Sequence, residues 1–266
     1  DAEADATVLL VQLHIKKADF ASGRKLLEGV LFRFHDHPRV LDMERTFDTA
    51  FNTYKKEAEQ ALKVESLTRC IEAFPEDAEL YRVRAIAHAN RKSYTLAVQD
   101  LFTCINKCGG SNPEAAALMG TMLCTIADEL VSVSDYVAAV NYYTEALKWD
   151  EDQLPVYIAR GDCNSVLGKH EQALKDYKYV LDVDPHDEEA KFRLGRLHDT
   201  WGSVLYNQGK YQLAENEYTR ALTYHDQNPV FFYHRALARL MLQNPVFAVR
   251  DLVSSRELGA ADPEIV

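Results

Sequence analysis

Apolar residues recur at helical spacing along almost the whole chain, and the pattern returns on itself at a fixed period. The clearest unit runs from 154 to 187, with Tyr157, Gly161, Gly168, Ala173, Tyr177, Val180 and Pro185 at its positions 4, 8, 15, 20, 24, 27 and 32. The same frame fits at 4–37, 44–77, 78–111, 120–153, 154–187, 195–228 and 229–262, seven units in all. Position 20 is small in six of them (Gly23, Ala97, Ala139, Ala173, Ala214, Ala248) and position 8 in five (Ala85, Ala127, Gly161, Gly202, Ala236). Position 24 is large throughout: Leu27, Leu67, Leu101, Tyr143, Tyr177, Tyr218 and Leu252. A small residue facing a large one at a constant offset lets two helices lie close together. Each unit therefore predicts a helix A, a turn and a helix B. Unit 44–77 departs most, with Phe51 and Lys63 where small residues belong.

Spacing shows a second period. Odd units start at 4, 78, 154 and 229, in steps of 74, 76 and 75, and even units start at 44, 120 and 195, in steps of 76 and 75. The repeating object is a pair of units, and the extra residues always precede the even one, at 38–43, 112–119 and 188–194. Those segments begin at or near Pro38, Pro113 and Pro185, and two of them carry Glu114 or Glu188 and Glu189, which is helix-start chemistry. They predict an N-terminally lengthened helix A in alternate units, about 10 Å longer, as a ridge on every second layer. The odd units 78–111, 154–187 and 229–262 share Arg at position 7 and Asp at position 23: Arg84 with Asp100, Arg160 with Asp176, Arg235 with Asp251. The constant offset predicts an ion pair between helices A and B. The even units 120–153 and 195–228 share Tyr-Thr-Glu-Ala-Leu at 143–147 and Tyr-Thr-Arg-Ala-Leu at 218–222.

The small and large positions of the frame resemble the tetratricopeptide repeat, whose pattern is W-x2-L-G-x2-Y in the first helix and A-x3-F-x2-A-x4-P in the second. The resemblance covers nearly the whole chain. It implies an all-α fold, a single right-handed superhelical solenoid of about seven helix-turn-helix units over 1–266, and protein binding as the function. It also implies a concave groove lined by positions 2, 5, 9, 12 and 13 of helix A. Those positions hold Arg45, Lys55, Lys56 and Arg82 toward one end, and Asp162, Arg196, Asp199, Ser203, Tyr206 and Tyr233 toward the other. Tyr and Arg are the residue types that most often carry interface energy. The convex face, the long-helix ridge and the two ends stay open as alternative docking surfaces. The carboxylate clamp of tetratricopeptide co-chaperones is absent, since units 1 to 3 place Val8, Gln12, Thr49, Glu79 and Val83 at its positions. The alternating long helices resemble large structural tetratricopeptide proteins of cilia and flagella, and as a second reading the DnaJ-fused co-chaperones. Pro263-Glu264-Ile265-Val266 reads as the opening of another long helix, so a longer parent protein is expected.

Composition narrows the function classes. With 41 acidic against 30 basic side chains and a net charge of -11, the chain lacks the clustered cations that nucleic acid and anionic membranes require. Val8 to Val11 is too short an apolar run, and too acidic in its approach, for a signal peptide or a spanning helix. The five cysteines include no CxxC pair, which favours a reducing compartment, the cytoplasm with its cilium or cytoskeleton. Cys104 and Cys108 have the i, i+4 spacing of a metal pair, but Cys104 and Cys70 sit at position 27, a packing position. His35-Asp36-His37 lacks further ligands in reach and reads as a solvated turn. Acids such as Asp48, Asp128, Asp162 and Asp199 fall one per unit, not as a converging pair. No catalytic, cofactor or metal constellation is expected; the predicted function is a non-enzymatic scaffold or adaptor that holds proteins.

Overall fold

The computed structural model describes residues 2–259, which are helical throughout with no strand. The helix expected to open at Pro263 lies outside the described residues. Three helix hairpins come first: α1 (Ala2–Lys16) with α2 (Phe20–Arg33), α3 (Pro38–Ala61) with α4 (Val64–Ala73), and α5 (Ala78–Asn90) with α6 (Tyr94–Lys107). Next follow α7 (Pro113–Ser132) with α8 (Tyr136–Trp149), then α9 (Leu154–Val166) with α10 (His170–Val183). The last are α11 (Glu188–Asn207) with α12 (Tyr211–Tyr224), and α13 (Pro229–Met241) with α14 (Pro245–Glu257). They form two compact units, one from α1 to Ile126 of α7 joined by Lys148–Asp150, the other from Ala127 to Leu147 and from Glu151 onward. The three long helices, α3, α7 and α11, have 24, 20 and 20 residues, and they are the alternate A helices that the two-unit period marks.

The small position 8 exists because a tyrosine ring lies on it. A Cβ placed on Gly161 would come 2.6 Å from the Tyr177 ring, and one on Gly202 would come 2.7 Å from the Tyr218 ring. Both tyrosines are buried, and each sends its hydroxyl back to position 9 of its own helix A. Tyr177 donates to Asp162 Oδ1 at 2.7 Å, Tyr143 donates to Asp128 Oδ1 at 2.5 Å, and Tyr218 meets Ser203 Oγ at 3.2 Å. Burial first, then the Asp162 carboxylate, pushes the Tyr177 hydroxyl well above the ordinary tyrosine range. Of the acids that recur once per unit, Asp128 and Asp162 are therefore hydrogen-bond acceptors for core tyrosines.

The predicted Arg–Asp pairs are bidentate forks. Arg84 Nε and Nη2 reach Asp100 at 2.8 and 2.7 Å, Arg160 reaches Asp176 at 3.1 and 2.6 Å, and Arg235 reaches Asp251 at 2.9 and 2.8 Å. All three aspartates are buried. The free Nη1 of each fork extends to a threonine on the preceding helix B: Thr68 at 3.1 Å, Thr144 at 3.3 Å and Thr219 at 3.5 Å. Position 11 of helix A adds a further nitrogen to the same carboxylate, His88 at 3.8 Å, Asn164 at 3.4 Å and Arg239 at 2.7 Å. Planar, always-charged guanidinium suits such a fork, and the threonine rung links each odd hairpin to the even helix before it.

Two features differ from the repeat frame. Six of the seven hairpin turns carry a left-handed residue at position 15, from Ala18 to Gln243, including Gly168 and Gly209, where the absent Cβ makes that conformation free of strain. The exception is Leu62 at position 19, so α3 runs one turn further and α4 is left with 10 residues. Lys63 is the N-cap residue of α4 and not a packing position. Phe51 is buried against Phe20 and Phe74, ring centroids 5.4 and 4.1 Å away, an aromatic cluster that substitutes for the small-to-large contact. Secondly, the lengthened turns are not free-standing ridges. Val40, Ala115 and Ala190, which hold the same place in successive pairs of units, are fully buried. Val40 packs on Ala4 and Val30 of the preceding hairpin, because an apolar face left in water would cost more than its ordering.

Unit 195–228 carries a buried ionisable pair. His198 in α11 occupies frame position 4, where Phe47 and Leu123 stand in the other long helices, and its Nδ1 lies 2.7 Å from Glu217 Oε2. Glu217 also accepts Arg220 Nη1 at 2.5 Å. Burial holds the imidazole below its ordinary value, while Glu217 pulls the other way. The unfolded chain then binds the proton more readily, so this contribution to stability is full above about pH 6.5 and is lost as pH falls below it. Tm measured between about pH 8 and about pH 5 is expected to fall more steeply in the wild type than in His198→Leu/Glu217→Tyr, the residues that Leu123 and Tyr142 place there in unit 120–153. Parallel curves would remove the pair as the cause.

Candidate functional site

The A-helix residues expected to face a partner divide into those held by neighbours and those left available. In the first compact unit, Lys55 Nζ is 2.5 Å from Asp77 and 3.8 Å from Glu59, and Asp77 itself caps α5 through the Glu79 N–H. Arg82 is forked onto Glu79 and reaches Glu114 of α7 at 3.5 Å. The two cations are thus neutralised locally, and the expected basic end is carried by Arg45 and Lys56, both exposed. Arg45 stands on the rim of a cleft of about 640 Å³ between the α1–α2 turn and α3, walled by Ile15, Phe20, Thr49 and Tyr54.

In the second unit the residues converge. Asp199, Ser203 and Tyr206 follow one another along α11 at helical spacing, on one face. Asp199 Oδ1 accepts His234 Nδ1 at 2.7 Å, joining α11 to α13. His234 is flanked by the rings of Tyr218 and Tyr233, centroids 5.6 and 6.0 Å away. Tyr206 packs edge-on to Tyr211 at 5.2 Å and against the buried cluster of Ala214, Tyr218 and Ala238. Arg196, exposed and one turn before Asp199, lies 5.8 Å from the centre of the Phe192 ring. Asp162 stands apart on α9, held by the Tyr177 hydroxyl and by Arg193 at 3.2 Å. The product is a half-buried surface of tyrosine, histidine and serine with one exposed cation at its edge, built on three helices of a packed stack. It offers stacking and hydrogen bonding to a bound chain. His234 follows Tyr233 among the A-helix residues of the groove end rich in tyrosine and acid; its link to Asp199 spans 35 residues, and the frame alone does not show that link.

Other candidate groups lie apart from this face. Cys70, Cys104 and Cys163 are buried, and burial lifts each thiol to about 11. His35 and Asp36 are strongly exposed, as a solvated turn should be. Among the described residues, α7 alone is long and apolar enough, by length and composition, to cross a membrane. Its Ala115, Met119, Leu123, Ile126 and Ala127 are buried along one stripe, the pattern of a helix packed on one side.

Helix hairpins that recur with one small-to-large frame define a helical-repeat protein. Residues 200–254, from α11 to α14, match the Tetratricopeptide repeat family. The chain is 26% identical over 206 residues to Tetratricopeptide repeat protein 16 of Homo sapiens, covering 76% of this chain and 24% of that protein. It is 33% identical over 119 residues to Tetratricopeptide repeat protein 16 of Mus musculus, covering 45% and 16%. The chain thus spans a quarter or less of these relatives. The crystal structure of YrrB, a TPR protein, aligns with a TM-score of 0.42 at 18% identity, over 74% of this chain and 94% of that one.

Proposed function

We propose that the chain is a non-enzymatic scaffold segment that holds a protein partner on the α11–α13 face, within a larger intracellular assembly of ciliary or cytoskeletal type. The observation that carries the reading is the Asp199–His234 bond between α11 and α13, flanked by the Tyr218 and Tyr233 rings, with Tyr206 packed on the same Tyr218 cluster. Rigid aromatic side chains with a polar end give contact area at low entropic cost. The resemblance to large structural tetratricopeptide proteins, with their alternating long helices, supports the assembly. A co-chaperone of the DnaJ-fused kind is the second reading, favoured by the same lengthened helices, and it requires a J-domain elsewhere in the full-length protein. The test takes the partner found by proximity labelling with the full-length protein and measures its affinity for Tyr206→Ala/Tyr233→Ala. A loss of at least about tenfold, on the scale of one hot-spot residue, with an unchanged Tm is expected. Unchanged affinity would move the site to another face.

A further inference from the structure

Helix α6 ends on two thiols that share one focus. The Asn112 amide Nδ2 lies 3.6 Å from Cys104 Sγ and 3.6 Å from Cys108 Sγ, so the two sulfurs converge on a single point. One helical turn separates their Cβ atoms by about 5–6 Å, beyond the roughly 3.5–4.5 Å that a disulfide needs. That separation instead suits a single ion held between two sulfurs. Cys104 is fully buried while Cys108 and Asn112 are half-buried, so the focus has one side toward solvent. Asn112 is fixed from behind, its Oδ1 accepting the Ala115 N–H at 3.0 Å at the start of α7. The repeat does not demand this arrangement. The same frame positions hold Val30 and Phe34, Val180 and Asp184, and Ser255 and Gly259 in the other odd units.

We propose that Cys104 and Cys108 form a two-coordinate site for a soft monovalent cation, Cu(I). Thiolates select Cu(I) among the biological metals, and zinc would require four ligands, whereas the described residues bring no group of three His, Cys, Asp or Glu together. Loading is an exchange without oxidation: one Cu(I) and two thiols give a bis-thiolate complex of charge -1 and release two protons. The Asn112 N–H then donates to the thiolates as an outer-sphere partner.

The reduced protein is titrated anaerobically with Cu(I) supplied as a chelate of known affinity. One ion per chain, near-ultraviolet thiolate-to-copper absorption and release of two protons are expected. Cys104→Ser and Cys108→Ser should each abolish uptake, while Cys70→Ser, Cys124→Ser and Cys163→Ser retain it. Circular dichroism reports the fold of each variant, and Cys108, half-buried, gives the substitution least able to disturb packing. Unchanged uptake in a folded Cys108→Ser, or equal loss on replacing Cys70 or Cys163, would overturn the site.

Discussion

Arg160→Ala is expected to destabilise the protein by about 3–5 kcal/mol, the cost of leaving a buried carboxylate without its counter-ion. Asp176 is 5% exposed, and the Asn164 amide at 3.4 Å is its only other hydrogen-bond partner of those described. The guanidinium also holds Thr144 and lies 5.3 Å from the centre of the Tyr157 ring, so packing is lost with the charge. Arg160→Leu/Asp176→Leu should recover most of the loss, because two apolar residues need no partner. Chemical denaturation of the single and double variants distinguishes the cases. A cost of the order of a surface ion pair, under about 1 kcal/mol, would show that water reaches Asp176. The same experiment at Arg235 should give a smaller loss, since Arg239 Nη1 remains 2.7 Å from Asp251.

Tyr177→Ala is expected to cost about 3–5 kcal/mol, the range for emptying an aromatic site in a core. The ring is 1% exposed and lies directly on Gly161, where no side chain can swing in to fill the space. Tyr177→Phe keeps the ring and removes only the hydroxyl bond to Asp162, a loss of about 1.5–3 kcal/mol for a bond to a charged acceptor. Gly161→Ala should restore part of the Tyr177→Ala loss, while being destabilising alone because its Cβ would collide with the ring. If the two substitutions behaved additively in thermal unfolding, the ring and the glycine would not be in the contact described.

The hairpins were legible because their contacts are local. Positions 8 and 24 belong to one unit, and their offset is the one that separates Arg84 from Asp100 and Arg235 from Asp251, so a repeated spacing is a direct record of a repeated contact. The long helices were legible for the same reason, as extra residues recurring before every even unit. The threonine rungs were written in the sequence too, in the Tyr-Thr pairs at 143–144 and 218–219, yet they join one hairpin to the next. Their meaning depends on how two hairpins rotate against each other, which a linear frame does not encode. At Leu62 the frame fails outright, because a cluster of aromatic rings outweighs the turn position that the other hairpins share.

At the candidate site the division is sharper. Sequence by itself determined the chain's class: all-helical, two-helix units paired at a steady period, alternate A helices long, with Tyr206, Asp199 and Ser203 on one helical face. Only the tertiary structure decided which of the charged candidates are free. Lys55, Arg82 and Asp162 find partners on neighbouring helices, while Arg45, Lys56 and Arg196 stay exposed, and Asp199 is tied to a histidine 35 residues away. The physical reason is range. Packing of small against large is set by volume and repeats wherever the spacing repeats, whereas a charge takes whichever counter-charge the folded stack brings within a few ångströms.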